Sequence, residues 1–189
     1  MEQLNLEKKI VITFTGAPGI GKSQLISVMT SGRFTSQYEP TIQEHYTMKM
    51  VEGNNIFNLT IVDTSGSPDY SKLASGAIGN SDCIVVCYCP YIPKSFDRVV
   101  EAIKEVRTIS DDIPIIIVAT KMDLKDDKVT MNKIGKQKIR MVKDLKSELK
   151  KGKISGFFET SAISGDSYKE ILETAIKYTQ KSSIWKKKQ

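Results

Sequence analysis

A glycine-rich segment near the start of the chain has the spacing of a phosphate-binding loop. Residues 16–23 read Gly-Ala-Pro-Gly-Ile-Gly-Lys-Ser, between an apolar run over 10–14 and a helix-like segment over 22–31. Successive backbone N–H groups at such a turn surround a phosphate chain with partial positive charge. Lys22 would add a full charge toward the β and γ phosphates, and the Ser23 hydroxyl can bind Mg²⁺. The strand and helix on either side argue against a chance glycine-rich turn.

Two further motifs follow predicted strands. A carboxylate at Asp63 can reach a Mg²⁺ shell, and Gly66 just after it allows a backbone N–H to approach a γ-phosphate. Farther along, Asp123 can accept two hydrogen bonds from guanine N1–H and N2–H₂, whereas adenine lacks the 2-amino group. Lys121 can lay its aliphatic stem over the base. Alone, each motif could be an ordinary turn or loop, so their order after the phosphate loop favours the functional interpretation.

The elements that must position these residues alternate between strand and helix. Apolar, strand-like runs cover 10–14, 44–52, 56–62, 83–89, 113–119 and 157–160. The pattern predicts a doubly wound, mostly parallel six-stranded α/β sheet with one antiparallel edge hairpin and helices on both faces. Ser95 is a predicted N-cap, and Ser167 with Glu170 a predicted capping box. In such sheets ligands bind at the carboxyl ends of the strands, where all the motifs fall.

The charge distribution indicates an anionic partner. The net charge is +6, but residues 125–153 carry eleven Lys and Arg against four acids, and residues 177–189 carry five Lys and no acid. The remainder is acidic, which favours a membrane leaflet or nucleic acid as partner of the basic segments. The sequence has no nucleic-acid reader motif, so we expect no nucleic-acid binding. Three clustered cysteines, at 83, 87 and 89, predict buried thiols in a reducing, cytoplasmic compartment.

These motifs resemble those of Ras-superfamily small GTPases, closest in pattern to the Ras family, and the resemblance covers nearly all of residues 8–180. Tyr38-Glu-Pro-Thr41 resembles switch I, in which Thr41 would cap Mg²⁺ and the γ-phosphate, and Asp63-Thr-Ser-Gly66 resembles the start of switch II. Residues 159–162 resemble the third guanine-binding loop, with the Ala162 N–H at guanine O6, and Phe34 falls where an aromatic edge meets the base.

The resemblance implies a GTP/GDP-dependent signalling switch with Mg²⁺, bound by effectors through switches I and II and served by an exchange factor. The implied nucleotide-binding residues are Gly16, Ala17, Pro18, Gly19, Ile20, Gly21, Lys22, Ser23, Gln24, Phe34, Tyr38, Thr41, Gly66, Thr120, Lys121, Asp123, Ser161, Ala162 and Ile163. The implied Mg²⁺ ligands are Ser23, Thr41 and Asp63. The implied catalytic residues are Lys22, Thr41 and Ser67.

Four residues depart from the Ras pattern. Ser67 stands where Ras proteins usually have the glutamine that orients the attacking water. Pro18 replaces a glycine and removes one N–H from the phosphate loop. Thr120 replaces an asparagine, as in Rho proteins, and Ile163 replaces a lysine beside the base. We therefore expect slow hydrolysis of GTP, and the alternative is a GTP-binding interaction module with negligible hydrolysis, held in one state.

The sequence divides into a predicted G domain over 1–180 and a basic tail over 181–189. The tail has no prenylation box, because no cysteine follows Cys89. Its lysines, with Trp185 as an interfacial aromatic, predict reversible binding to the inner face of a membrane. The alternative is a solvated, disordered basic end.

Overall fold

The sheet has the predicted architecture. The computed structural model describes residues 7–34, 39–143, 145, 149 and 152–187, and its six strands lie in the order β2-β3-β1-β4-β5-β6. The β2–β3 pair is antiparallel, and the other neighbouring strands are parallel. The strands are β1 (Lys8–Gly16), β2 (Gln43–Glu52), β3 (Asn55–Thr64), β4 (Cys83–Tyr88), β5 (Ile115–Ala119) and β6 (Ile154–Glu159).

Helices cover both faces of this sheet, as predicted. They are α1 (Lys22–Ser31), α2 (Ser71–Gly79), α3 (Ser95–Ile109), α4 (Lys128–Ile134), α5 (Tyr168–Lys181) and α6 (Ser183–Lys186). Short 3₁₀ turns cover Pro68–Tyr70 and Met122–Asp126. No described helix is long and apolar enough to cross a membrane.

Strand β4 is apolar at every position because both of its faces are buried. Successive side chains of a strand point to opposite faces. Cys83, Val85 and Cys87 join the core under α1 and α5, whereas Ile84 and Val86 join the core under α3. The three predicted buried cysteines are buried free thiols, and burial raises the pKa of Cys87 to about 12. They act as small apolar side chains.

The predicted N-cap at Ser95 is wrong, and the predicted capping box of Ser167 and Glu170 does not form although Ser167 precedes α5. Ser95 is the first residue of α3, and its hydroxyl donates to the Cys89 carbonyl and accepts from the Cys89 N–H, both at 3.0 Å. Ser167 has a left-handed backbone with φ of 62° and makes no side-chain cap. Both serines follow loops whose path is decided by tertiary packing, which overrides a local capping pattern.

The end of the chain packs on the domain as far as it is described. Ser182 caps α6 by accepting from the Trp185 N–H at 3.2 Å. Trp185 is only 5% exposed, its Nε1 donates to the Lys9 carbonyl at 3.4 Å, and the Lys8 ammonium lies 6.0 Å from the ring centroid. The interfacial role predicted for Trp185 is therefore wrong, and residues 182–187 are folded. The domain boundary at 180 stays a prediction, and residues 188–189 lie outside the described residues.

Replacing Trp185 with alanine should lower the free energy of unfolding by about 3–5 kcal/mol, because it removes a large buried side chain. Urea denaturation followed by circular dichroism measures this. Lys186 is the next residue and is exposed, so Lys186→Ala is the matched control and should change stability by less than about 0.5 kcal/mol. Equal stability of Trp185→Ala and the unmutated protein would contradict the packing described.

Candidate functional site

A cleft of about 750 Å³ opens at the carboxyl ends of the parallel strands. Most of the predicted nucleotide-binding residues line it, namely Pro18, Gly19, Gly21, Lys22, Ser23, Gln24, Phe34, Thr41, Gly66, Thr120, Lys121, Asp123, Ala162 and Ile163. Ser67 lines it as well. Five predicted residues do not belong to this lining, namely Gly16, Ala17, Ile20, Asp63 and Ser161. Tyr38 lies outside the described residues.

The loop between β1 and α1 has the backbone that phosphate binding needs. Gly19 and Gly21 have φ of 70° and 94°, values that side chains with a Cβ rarely adopt. The Lys22 ammonium is buried and donates to the carbonyls of Gly16 at 3.1 Å and Ala17 at 2.9 Å. Burial lowers the pKa of Lys22. A buried ammonium held by two loop carbonyls is a fixed positive charge that an anion at the loop would compensate.

Three oxygen donors meet beside this loop. The Ser23 and Thr41 hydroxyls are 2.9 Å apart, and Asp63 is fully buried at the end of β3. Neither carboxylate oxygen of Asp63 has a hydrogen-bond partner of normal geometry among the described residues. Burial raises the pKa of Asp63, while the Ser23 hydroxyl and the Lys22 charge oppose that rise. An orphaned buried carboxylate with two hydroxyls suits a hard cation such as Mg²⁺, which prefers oxygen ligands.

The segment after β3 packs directly against the phosphate loop. A Cβ at Gly66 would lie 2.3 Å from the Pro18 nitrogen, so only glycine permits this approach. Ser67 has an extended backbone, as expected before Pro68, and caps the following 3₁₀ turn. Its hydroxyl lies 3.2 Å from a carboxylate oxygen of Asp69 and accepts from the Asp69 N–H at 3.4 Å. The Ser67 hydroxyl is therefore engaged within its own turn.

The opposite end of the cleft contains Asp123 and Lys121, the residues predicted to contact the base. Asp123 accepts a hydrogen bond from the Ser161 hydroxyl, which itself accepts from the Ile163 N–H at 3.1 Å. Lys121 has a left-handed backbone, and its ammonium donates to the Gly19 carbonyl at 2.7 Å. Ser161 is buried, so it positions Asp123 rather than lining the cleft. Lys121 links the base end of the cleft to the phosphate end.

Some site residues were not predicted from the sequence. The cleft is also lined by Leu25, Glu39, Pro40, Ile42, Thr64, Ser65, Tyr70, Leu124 and Thr160. All of them lie within four residues of a predicted one, and that proximity was the available signal. Thr120 was predicted as a nucleotide-binding residue, but its structural role was not predicted. Its hydroxyl lies 2.6 Å from the Ile20 carbonyl and 3.0 Å from the Tyr88 carbonyl, so it fastens the phosphate loop to the sheet.

Comparison with known proteins agrees with this geometry. The family model described as the Ras family matches residues 9–181. The chain belongs to the Ras family. Among curated relatives, the Rho-related protein racL of Dictyostelium discoideum is 29% identical over 93% of this chain and 91% of its own length. The GTP-binding protein rho2 of Schizosaccharomyces pombe is 30% identical over 91% of this chain and 86% of its own length.

Membership of the Ras family confirms the predicted fold and the predicted resemblance. Ras-family proteins are in general small GTPases that bind GTP and GDP and act with effectors and exchange factors. Both relatives named above carry Rho names. Thr120 is the residue at which the sequence resembles Rho proteins rather than Ras proteins. The individual roles of the site residues remain predictions.

Replacing Asp63 with asparagine should abolish stabilisation of the GDP-bound protein by Mg²⁺. For the unmutated protein at 100 times the dissociation constant, Mg²⁺ should add about 2.7 kcal/mol, or roughly 5–10 °C in melting temperature. Because burial raises the pKa of Asp63, protons compete with the metal, and the shift should shrink as pH falls through that raised pKa.

Differential scanning fluorimetry with and without Mg²⁺ measures this shift. Asp97→Asn, an exposed carboxylate on α3, is the control and should keep the full shift. An undiminished Mg²⁺ shift in Asp63→Asn would remove Asp63 from the metal site.

Proposed function

We propose that this Ras-family protein is a GTP/GDP-dependent switch that binds guanine nucleotide with Mg²⁺ and hydrolyses GTP slowly. One observation carries the proposal: a single cleft joins a buried ammonium at its phosphate end to a positioned carboxylate at its base end. Lys22 provides the first and Asp123, held by Ser161, the second. A phosphate chain with a guanine at the far end is the ligand that satisfies both.

Hydrolysis would proceed by in-line attack of water on the γ-phosphate, which yields GDP and phosphate. Lys22 would move its ammonium from the loop carbonyls to the phosphate oxygens, and the N–H groups of residues 19–23 would surround the β-phosphate. Ser23, Thr41 and Asp63 would hold Mg²⁺, which when bound neutralises charge that develops on the phosphates. These groups bind the ground state as well as the transition state.

The slow rate follows from the segment after β3. Ser67 stands at the water-positioning place, but its hydroxyl is used by Asp69. Pro18 supplies no N–H and packs against Gly66. Binding energy is thus kept while the group that aligns water is missing, and an interaction made only in the transition state is what raises the chemical rate. The same observation supports the second candidate, a GTP-binding module with negligible hydrolysis.

The two switch segments are coupled to the cleft, as a switch requires. The Ser65 N–H donates to the Ile42 carbonyl at 2.9 Å, and Thr41 contacts Ser23. Ile42 and Leu73 beside them are 53% and 48% exposed. We propose that effectors bind these exposed apolar side chains when the γ-phosphate holds both segments, and that an exchange factor opens the same region.

A peripheral position at the anionic cytoplasmic face of a membrane is a further part of the proposal. Among the described residues, the basic end of the chain over 181–189 provides three exposed lysines, Lys181, Lys186 and Lys187, worth about 1 kcal/mol each near such a surface. Trp185 adds nothing there, because it is buried in the domain. This end alone would therefore give only a weak contact.

Replacing Asp123 with asparagine should weaken GTP binding by about 3–6 kcal/mol, because two hydrogen bonds to a charged group are worth about 1.5–3 kcal/mol each. Binding of xanthosine triphosphate should rise, since its 2-oxo group needs a donor. Asparagine can still accept from Ser161, so the loop should persist. Isothermal titration with GTP, ATP and xanthosine triphosphate measures these affinities. Equal affinities of the unmutated protein for ATP and GTP would refute guanine recognition.

Replacing Ser67 with glutamine should raise the single-turnover rate of GTP hydrolysis, by up to roughly 10²-fold, because alignment of the water is restored. The gain should be larger when Pro18→Gly is added. The rate is measured on purified, GTP-loaded protein by chromatography of the nucleotide, with Ser67→Ala as the control. If the unmutated protein releases no phosphate and Ser67→Gln restores release, the interaction module is the correct function. Rapid hydrolysis without any gain from glutamine would contradict the slow-switch proposal.

A further inference from the structure

One hydroxyl group in the lining of the cleft has no role in the account given so far. The hydroxyl-bearing residues of the lining are Ser23, Thr41, Thr64, Ser65, Ser67, Tyr70, Thr120 and Thr160. All of them except Tyr70 take part in side-chain hydrogen bonds within the protein. Among the described residues, the Tyr70 hydroxyl has no hydrogen-bond partner. This hydroxyl is therefore free to bind a ligand or a water molecule in the cleft.

The 3₁₀ turn that engages Ser67 also positions Tyr70. Pro68 begins this turn, Tyr70 ends it, and the Tyr70 N–H donates to the Ser67 carbonyl at 3.2 Å. The Ser67 hydroxyl accepts from the Asp69 N–H and so fixes the same turn a second time. The turn thus keeps the Ser67 hydroxyl for itself. Three residues farther on, it brings a longer, partly buried side chain to the lining of the cleft.

Tyr70 belongs to the phosphate end of the cleft. The turn directly follows Gly66, whose backbone lies against Pro18 of the loop between β1 and α1. The residue just before Gly66 donates its N–H to the Ile42 carbonyl, next to Thr41. Asp123, in contrast, lies at the base end of the cleft. A ligand group near Tyr70 would therefore be a terminal phosphate rather than a base.

The chemistry of a phenol suits a water molecule beside such a phosphate. A tyrosine hydroxyl is neutral, donates one hydrogen bond and accepts others. It can therefore donate to a phosphate oxygen and accept from a water molecule at the same time. Glu39 also lines the cleft and is exposed, but its negative charge would be repelled by a γ-phosphate.

We propose that Tyr70 is a catalytic residue that holds the attacking water during the slow hydrolysis of GTP. The proposal rests on the proposed function and names the group that replaces a glutamine at position 67. The phenol O–H donates to a γ-phosphate oxygen, and the phenol oxygen accepts from the water.

The reaction itself needs no further group from Tyr70. The water oxygen forms the new bond to the γ-phosphorus, and the bond from that phosphorus to the bridging β–γ oxygen breaks, which releases GDP. The proton of the water ends on the released phosphate. Tyr70 keeps its own proton throughout, so it orients the water without acting as a base.

Single-turnover hydrolysis of GTP by the purified full chain tests the proposal. Tyr70→Phe removes only the hydroxyl and should lower the rate at least about tenfold, because one positioned hydrogen-bond donor in an active site is worth roughly 10²–10³ in rate. The dissociation constants for GTP and GDP should change by less than about twofold, since this contact acts in the transition state. Tyr178→Phe, the same change at a partly buried tyrosine on α5, is the matched control and should keep the full rate.

The double variant Ser67→Gln/Tyr70→Phe separates alignment of the water from a role in shaping the turn. When glutamine holds the water, loss of the phenol hydroxyl should cost less than about twofold, because the two groups perform the same task. If the hydroxyl only shapes the turn, its loss lowers the rate by the same factor with serine or glutamine at position 67. The affinity for GDP and the fluorescence of Trp185, the only tryptophan, report that each variant is folded.

Two results overturn the role of Tyr70 and leave the slow switch intact. One is hydrolysis by Tyr70→Phe at the rate of the unmutated protein. The other is an equal loss of rate in both backgrounds. Absence of phosphate release from the unmutated protein overturns the switch together with the role of Tyr70, and it favours the interaction module.

Discussion

A buried ammonium and a buried carboxylate lie at the carboxyl ends of two adjacent strands, and the site depends on them. Lys22 is satisfied only by carbonyls of its own loop, and Asp63 has no hydrogen-bond partner of normal geometry among the described residues. Both groups carry a desolvation cost, which shows in the lowered pKa of Lys22 and the raised pKa of Asp63. Polyphosphate and a divalent cation are ligands of opposite charge to these two groups. Binding of such ligands should therefore also stabilise this region of the folded protein.

Short polar contacts fasten the two ends of the cleft to each other. Lys121 reaches the Gly19 carbonyl, and Thr120 reaches the Ile20 carbonyl. The loop after β5 thus holds the loop between β1 and α1 in place, while its own Asp123 lines the same cleft. A substitution at Thr120 would therefore affect the loop between β1 and α1 as well as the end of β5.

The sequence predicted what depends on local pattern and spacing. Uninterrupted apolar runs predicted the parallel strands, because strands that are buried on both faces need apolar residues at every position. The phosphate loop was predictable because its glycines, lysine and serine are contiguous. By contrast, the bond between Ser161 and Asp123 joins residues 38 positions apart, and the contact of Trp185 with Lys9 joins residues 176 apart. Pairings over such separations are created by the sheet order, and no local rule specifies them. The side-chain caps predicted at Ser95 and Ser167 do not form for the same reason, because the preceding loops set the backbone conformation of these residues.

The packing of Trp185 against β1 affects how the protein folds during its synthesis. Strand β1 is synthesised before the other strands of the sheet, and its central position in the sheet requires β3 and β4 as neighbours. The residue that covers the beginning of β1 arrives only after more than 170 further residues have been synthesised. Until then the apolar surface near Phe57 and Lys8 lacks the cover that Trp185 provides. Closure of this end of the sheet therefore waits for a residue that is synthesised after every strand of the sheet.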